Sequence, residues 1–379
     1  MHNWQTKKLG EIIVENSKSL LRSKGNLVGQ FPFFVSGYKV KEIDQFLVNG
    51  ENIFLPTGGN FYVHFFNGKS AYSTDTWSIK TTTNADIKYL YFFLVLNQDL
   101  INSKMFKGAA IRHLQKKDLK NIEITLPSLS EQKKIVKILD EKMGKIAEAK
   151  RLREEALVDT EKILSQTLHE IFEEGKKKGW EEKKVSDIAD IKGGKRLSKG
   201  ERLIDDKTSH PYLRVTDFKD EILDTARVKF INERTFEQIK RYTISSSDIF
   251  VSIAGTIGLV RRIPKEFDGA SLTENASKIT NIDKKILKDF LYWQLQTESI
   301  QRNFINKAIQ TTISKLALYK IAEQKILIPL ISEQQKIVKR LDDLSAKIRQ
   351  AVELQKSQLE DLKKLEKAYL REAFNGELI

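Results

Sequence analysis

The sequence predicts an α+β protein with a pseudo-twofold internal repeat, in which two globular mixed α/β domains are separated by two long antiparallel coiled-coil helices. Three observations predict this fold: a repeated motif, a helical pattern after each copy of it, and short apolar runs between turn residues elsewhere. The predicted boundaries are 1–129 and 176–331 for the globular domains, and 130–175 and 332–379 for the helices.

The repeat is the clearest feature of the chain. Residues 127–140 read PSLSEQKKIVKILD and residues 329–342 read PLISEQQKIVKRLD, so 10 of 14 positions are identical at an offset of 202. The segments that begin at Trp4 and Trp180 also match, at an offset of 176, so the stretch from Trp180 to the second copy of the repeat is 26 residues longer than the stretch from Trp4 to the first copy. The chain therefore alternates twice between a variable segment and a repeated one.

Each repeated segment has the pattern of one long helix. Proline is absent between 130 and 172, and apolar residues recur at steps of three and four, which is coiled-coil spacing. Ser130 and Ser332 are the expected N-caps, with Gln335 completing a capping box in the second copy. Each helix could pack on its own domain alone, but two helices of matched length more naturally pair with each other, antiparallel, as a spacer.

The composition limits the classes of function. With 65 Lys and Arg against 51 Asp and Glu, the net charge is +14, which suits a polyanionic partner. The charge lies in the globular segments, at +6 and +9, whereas the helices carry −2 and +1. The absence of cysteine excludes disulfides, thiolate catalysis and Cys-ligated metals. No run of 18 apolar residues and no signal peptide are present, so we expect a soluble, cytoplasmic protein.

Catalytic motifs are missing from the sequence. It has no G-x-x-x-x-G-K-[ST] loop for nucleotides and no N-P-P-[FY] or D-P-P-Y motif for adenine methyl transfer. Its five histidines show no close metal-binding spacing. A binding protein without a cofactor or metal of its own is therefore predicted, rather than an enzyme.

Glycine-containing loops are the first candidates for contact with nucleic acid. In Gly193-Gly194-Lys195-Arg196, two glycines before two cations suit a phosphate, although a plain β-turn explains them equally well. The loop Ser252–Gly258 follows a predicted strand, and Thr57–Asn60 is its expected counterpart. Such loops could admit a DNA backbone or a base edge, and hairpin turns are the alternative interpretation.

Polar runs with short side chains are the second group of candidates. Thr273-Glu274-Asn275 and Ser73–Thr76 could face DNA, because asparagine can pair with adenine through two hydrogen bonds, or they could form buried turn networks. Arg112 and Lys315, just before the repeats, could also reach DNA. The full set of predicted DNA-contacting residues is Lys39, Thr57, Gly58, Gly59, Asn60, Thr74, Arg112, Lys195, Arg196, Arg214, Thr216, Ser252, Gly255, Thr256, Asn275, Thr312 and Lys315.

The chain resembles the specificity subunits of Type I restriction–modification systems. The resemblance is carried by two variable segments, each followed by a helix that opens with P-x-x-S-E-Q-x-x-I-V. Further family-like phrases are Pro211–Asp217, Ser252–Gly258, Leu272–Ala276 and the ending Ala373-Phe-Asn-Gly-Glu-Leu378. The first variable segment departs from this pattern because it lacks a clear Gly-Thr-Ile-Gly loop.

The resemblance implies a function and partners. Each variable segment would be a target recognition domain that reads one half of an asymmetric, bipartite DNA site, and the helices would fix the gap between the halves. Two modification subunits would bind S-adenosylmethionine and flip the target adenines, with restriction subunits as an optional addition. The repeated residues Glu131, Gln132, Glu333 and Gln334 are expected to contact these partners.

Two alternatives remain at this point. The chain could serve a related enzyme in which restriction and methylation are fused, and neighbouring genes would distinguish that case. It could instead be a coiled-coil scaffold whose globular ends bind protein rather than DNA. The basic globular segments argue against the scaffold, because positive charge concentrated there favours a phosphate backbone.

Overall fold

The structure is a computed structural model that describes residues 4–23, 28–219, 222–309 and 315–378. The chain divides into two compact units: residues 1–155 with 355–379, and residues 156–354. Each unit combines a globular α+β region with one part of each of two long helices. Along the described residues, none of the helices has the length and apolar character needed to cross a lipid bilayer.

The first unit is built on two small sheets. Its elements, in chain order, are β1 (Gln5–Lys8), α1 (Leu9–Ile12), β2 (Ile13–Glu15), β3 (Phe31–Phe34), β4 (Lys41–Ile43), β5 (Glu51–Pro56), β6 (His64–Asn67), β7 (Ala71–Tyr72), β8 (Thr76–Thr81), α2 (Ile87–Leu96), α3 (Gln98–Lys104), β9 (Phe106–Lys107), β10 (His113–Leu114), α4 (Lys116–Lys120) and β11 (Glu123–Leu126). The main sheet is antiparallel in the order β2-β8-β5-β6, and the second sheet has the order β4-β3-β7 with β3 and β7 parallel. Strands β1 and β11, at the two ends of the variable segment, form an antiparallel pair.

The second unit follows the same plan with additional strands. Its elements are β12 (Glu181–Lys184), β13 (Asp190–Gly193), β14 (Pro211–Leu213), β15 (Phe218–Lys219), β16 (Ile222–Leu223), β17 (Lys229–Phe230), α6 (Glu233–Ile239), β18 (Thr243–Ile244), β19 (Ile249–Ser252), β20 (Val260–Arg262), β21 (Ala270–Leu272), β22 (Ala276–Thr280), α7 (Lys288–Leu295), α8 (Glu298–Ile309), α9 (Leu318–Ala322) and β23 (Lys325–Ile328). Short 3₁₀ turns cover Val185–Asp187, Val215–Asp217 and Lys265–Phe267. The main sheet has the order β13-β22-β19-β20, which matches β2-β8-β5-β6 strand for strand. The parallel pair β14–β21 likewise matches β3–β7.

The two long helices are α5 (Leu129–Lys177, 49 residues) and α10 (Ile331–Asn375, 45 residues). In the first unit, Ile135 and Leu139 of α5 share the core with Leu370 and Ala373 of α10, and Lys150 forms an ion pair with Glu366. The start of one helix thus lies beside the end of the other. In the second unit the end of α5, at Leu168 and Phe172, shares the core with Ile337 and Leu341 near the start of α10.

These contacts confirm the predicted mixed α+β class, the internal repeat and the antiparallel pairing of the helices. The predicted N-caps are wrong, because the helices begin at Leu129 and Ile331, one residue before Ser130 and Ser332. In the first copy Ser128 is the cap. Its backbone N–H and hydroxyl donate to a carboxylate oxygen of Glu131 at 2.9 and 2.7 Å, and the N–H of Glu131 donates back to the Ser128 hydroxyl at 3.3 Å. Leu330 occupies the corresponding position in the second copy, so no hydroxyl is available there.

Candidate nucleic-acid interface

The same backbone frame surrounds the predicted loops in both units. In the first unit, the N–H of Thr57 donates to the carbonyl of Asp75 at 2.9 Å, and the N–H of Leu114 donates to the carbonyl of Thr57 at 2.9 Å. In the second unit, Ile253 makes the matching bonds with Asn275 and Leu316, both at 2.8 Å. A bridge joins Gly58 to His113 in the first case and Ala254 to Lys315 in the second. In each unit, equivalent main-chain bonds therefore bring together three segments that are distant in sequence, and we call this arrangement the backbone frame.

One glycine in each frame has a backbone conformation that other residues rarely adopt. Gly59 has φ +84° and Gly255 has φ +74°, and the bridges described above place them at corresponding positions. This left-handed region is accessible to glycine without a steric penalty. A Cβ at either position would meet no atom within 4 Å, so the backbone angle rather than crowding favours glycine there.

We call Thr57–Asn60, Thr74–Asp75 and Arg112–His113 the first loop cluster. Its loop Thr57–Asn60 follows the buried strand β5, and Gly59, Asn60 and Arg112 are exposed. Arg112 is held within the chain, because its two terminal nitrogens donate to the carbonyl of Asn102 and to Oδ1 of Asn60, both at 3.2 Å. Thr74 is half-buried, and its N–H donates to the carbonyl of Leu21 at 2.9 Å.

We call Gly194–Arg196, Ala254–Thr256, Glu274–Asn275 and Lys315 the second loop cluster. The N–H of Gly194 donates to the carbonyl of Ala276 at 3.0 Å, and that of Lys195 to the carbonyl of Leu272 at 2.8 Å. A Cβ on Gly194 would overlap the carbonyl oxygen of Thr273, so this close approach requires glycine. The segment continues the pairing of β13 along residues 272–276 rather than forming the β-turn considered from the sequence.

Two cations contact Glu274 in the second loop cluster, one at its carboxylate and one at its main-chain carbonyl. Nε of Arg196 donates to Oε1 of Glu274 at 2.7 Å, and Nζ of Lys315 donates to the carbonyl of Glu274 at 3.3 Å. Burial raises the pKa of Glu274, but hydrogen bonds from Arg196 and Thr273 more than offset this and leave the pKa below its ordinary value. Burial raises the pKa of Tyr212 to about 12, so its hydroxyl remains protonated and donates to the carbonyl of Lys195 at 2.8 Å.

Two of the predicted DNA-contacting residues make structural contacts within the second unit. Ser252 is fully buried, and its hydroxyl accepts from the N–H of Leu259 at 2.8 Å and donates to the carbonyl of Thr256, so it shapes the loop from within. Arg214 donates from Nη2 to the buried Asp217 at 2.6 Å and to the carbonyl of Arg227 at 2.8 Å. The expectation that the Ser252 side chain faces DNA is therefore corrected, whereas that for Arg214, whose side chain is 27% exposed, stays a prediction.

The other predicted residues divide by position. Lys39 and Thr216 are exposed on the segments that follow the matched strands β3 and β14. Gly255, Thr256 and Asn275 are exposed within the second loop cluster. Thr312 lies outside the described residues.

The helix starts correct another prediction. Gln132 and Gln334 are both 0% exposed, so their side chains present no surface to a partner in this structure. Oε1 of Gln132 accepts from the N–H of Asp86 at 2.8 Å, and Nε2 donates to the carbonyls of Pro127 at 2.9 Å and Asn84 at 3.3 Å. Each of the two glutamines thus fastens the start of a long helix to the loop that precedes α2 or α7.

Gln334 repeats this arrangement in the second unit. Its Oε1 accepts from the N–H of Leu287 at 2.8 Å, and Nε2 donates to the carbonyls of Pro329 at 2.9 Å and Lys285 at 3.0 Å. The neighbouring acids are half-buried: Glu131 completes the cap of α5, and Glu333 lies 3.7 Å from Nζ of Lys178. These contacts leave the proposed partner role of the two acids as a prediction.

Sequence reasoning missed two residues that support the second loop cluster, Glu274 and Tyr212. Glu274 lies in the run Thr273-Glu274-Asn275, which was selected for its asparagine. An acidic residue in an otherwise basic segment was the signal that could have identified it. Tyr212 is 3% exposed, and nothing in the sequence indicates that its hydroxyl supports Lys195.

We expect Gln334→Leu to lower the free energy of unfolding by about 3 kcal/mol, because three main-chain groups, one in a buried hydrogen bond and two in partly buried ones, would lose their partner at roughly 1–3 kcal/mol each, partly relieved by relaxation. Urea unfolding would measure the loss, and hydrogen exchange at the amide of Leu287 would locate it. The exposed neighbour Gln335 provides the matched control, since Gln335→Leu should change stability by less than about 0.5 kcal/mol. Equal effects of the two substitutions would contradict this prediction.

The sequence is similar to known specificity proteins along most of its length. The family model described as "Type I restriction modification DNA specificity domain" matches residues 1–156 and 177–361. The Type I restriction enzyme MjaVIII specificity subunit of Methanocaldococcus jannaschii is 24% identical over 99% of this chain and 93% of that protein. The EcoBI specificity subunit of Escherichia coli is 23% identical over 72% of this chain and 61% of that protein.

Solved structures have a similar fold. One match is a chain from the structure described as "Structural basis underlying complex assembly and conformational transition of the type I R-M system". Its TM-score is 0.76 at 20% identity, and the match covers 99% of this chain and 98% of that one. The HsdS subunit from Thermoanaerobacter tengcongensis has a TM-score of 0.54 at 18% identity, covering 99% and 97%. At these identities the likeness concerns the fold.

Proposed function

Because the chain belongs to the Type I restriction–modification DNA specificity family, we propose that its two units read the two halves of an asymmetric, bipartite DNA target. The observation that carries this proposal is the shared backbone frame with different exposed side chains. Asn60, Asp75 and His113 of the first unit correspond to Thr256, Asn275 and Lys315 of the second. One frame that presents two different sets of donors and acceptors suits two different base sequences.

The charge distribution supports duplex DNA as the ligand. The segments that hold the loop clusters carry +6 and +9, whereas the helical segments carry −2 and +1. Lys195 is exposed at one cluster and Arg112 at the other, where they could contact phosphates on either side of the bases that are read. The near-neutral helices α5 and α10 would set the gap between the half-sites.

The chain would direct the complex to its DNA target and would not itself catalyse methylation or cleavage. We assign methylation to two modification subunits that bind S-adenosylmethionine and flip the target adenines, with restriction subunits as a further partner in a cleaving complex. Glu131 and Glu333, near the helix starts, are proposed contacts for these subunits. Mapping methylated adenines in the source genome, with and without this gene, tests the assignment: loss of one bipartite methylated motif is expected, and an unchanged methylation pattern would contradict it.

We expect selective DNA binding to require the modification partner. This chain alone presents a basic surface of modest charge, which gives chiefly non-specific affinity that falls steeply with salt. Gel shifts with cognate and scrambled duplexes, at 50 and 200 mM salt, would measure both properties. Tight, salt-resistant and sequence-selective binding by the chain alone would contradict the prediction, whereas failure to bind DNA with every candidate partner would favour a protein-binding scaffold.

A further inference from the structure

We propose that Arg196 reads a guanine in the half-site bound by the second unit, and that Glu274 positions it for this task. This inference rests on the proposed DNA-reading function and adds the base and the residue. The inference depends on which nitrogens of the Arg196 guanidinium already donate a hydrogen bond within the chain. Nε of Arg196 donates to Oε1 of Glu274 at 2.7 Å, and within the described residues neither terminal nitrogen of Arg196 has a partner.

The free end of Arg196 has the geometry for guanine. Guanine presents two acceptors, O6 and N7, side by side in the major groove, and a guanidinium can donate to both at once. The Arg196 side chain is 79% exposed, so the pair of terminal nitrogens is accessible. An arginine fixed at Nε loses less conformational freedom when it binds than one that moves freely.

Glu274 is itself held in place from behind. Its second oxygen, Oε2, accepts from the Thr273 hydroxyl at 3.1 Å and lies 3.4 Å from the Tyr212 hydroxyl. Thr273 and Tyr212 are 4% and 3% exposed, so both groups belong to the rigid body of the unit. The chain of contacts therefore runs from the buried sheet through the carboxylate to the guanidinium.

The carboxylate also favours a base over a phosphate. A phosphate on the terminal nitrogens of Arg196 would bring a second anion close to the Glu274 carboxylate, and the two negative charges would repel each other. A guanine edge is neutral and avoids this cost. Phosphate contact is better suited to Lys195, which is exposed and whose Nζ lies 5.7 Å from the ring centre of Tyr242.

The other two arginines predicted to face DNA provide an internal contrast. Both terminal nitrogens of Arg112 are bonded to Asn102 and Asn60, and Arg214 is bonded to Asp217 and Arg227. In neither arginine are both terminal nitrogens without a partner, as they are in Arg196 within the described residues. The proposal therefore concerns Arg196 specifically rather than arginines in general.

The test uses the full chain in complex with its modification partner and a duplex library randomised in both half-sites, with adenine methylation read by sequencing. We expect one position of the half-site read by the second unit to require guanine. Arg196→Lys, which keeps the charge but cannot donate from a planar fork, should reduce preference for guanine there by about 5- to 150-fold and leave the other half-site unchanged. Glu274→Gln should relax the same position to a smaller degree, because it keeps the acceptor but removes its charge.

The control is Lys195→Ala, which should lower methylation evenly across the library without changing any base preference. The inference is overturned if wild-type protein requires no guanine in that half-site, or if Arg196→Lys leaves the base preference intact or lowers methylation evenly as Lys195→Ala does. Failure of the proposed function is a different result, namely no sequence preference in either half-site with wild-type protein. Thermal unfolding of Arg196→Lys should match wild type, since the side chain is exposed.

Discussion

Replacing residues 1–129 with the corresponding segment of another family member is expected to change one half of the methylated target and leave the other half intact. The physical reason is that the two units have separate cores. The core of the first unit includes Ile53 and Leu90, and that of the second includes Val251 and Trp293. Adenine methylation mapped across the genome would show which half-site changed.

The reciprocal replacement of residues 176–331 is the matched control and should alter the opposite half-site. The incoming first segment must keep apolar residues against Leu370 and Ala373, because these helix residues complete the core of the first unit. A change in both half-sites after a single replacement would show that the readers are not independent.

Inserting four residues next to Ala156 in α5 is expected to lengthen the preferred gap by one or two base pairs while both half-sites keep their bases. Four helical residues add about 6 Å at 1.5 Å each, and B-DNA advances about 3.4 Å per base pair. Ala156 stands at the division between the two units and within the uninterrupted helix α5. Methylation of a library with varied gaps would give the preferred length.

A four-residue insertion at Gly200, in an exposed turn of the second unit, is the control and should leave the gap unchanged. Where the helix insertion inactivates the complex, a seven-residue insertion keeps the apolar face nearly in register, since seven residues are close to two turns. An active protein with a longer helix and an unchanged gap would refute the role of the helices as a ruler.

Local patterns in the sequence were sufficient to predict the helices and the repeat, but they did not predict the hydrogen-bond partners of single polar side chains. Proline placement and apolar spacing predicted α5 and α10, because both depend on neighbours in sequence. The role of Gln132 depends on Asp86, which is 46 residues away, and no local pattern shows that this amide is buried. The cap of α5 was misplaced for a smaller reason: Ser128 and Ser130 both suit the position, and only the structure distinguishes them.

The candidate interface shows the same division. The loops Thr57–Asn60 and Ser252–Gly258 were predicted from glycine and short polar residues, and the structure places Gly58 and Ala254 in equivalent β-bridges within them. Their supporting contacts were not predictable. Ser252 and Thr256 look alike in sequence, yet one is fully buried and the other exposed.

The glutamine contacts at the helix starts bear on how the chain can diverge. All three partners of Gln132, and all three of Gln334, are main-chain groups. Substitutions at positions 84 and 285 therefore leave the attachment of each long helix to its globular region intact. Positions 86 and 287 exclude only proline on this account, since proline has no N–H to donate. On the proposed function, ordinary substitutions in the globular regions could change the target sequence while the gene segments for the two helices stay as they are.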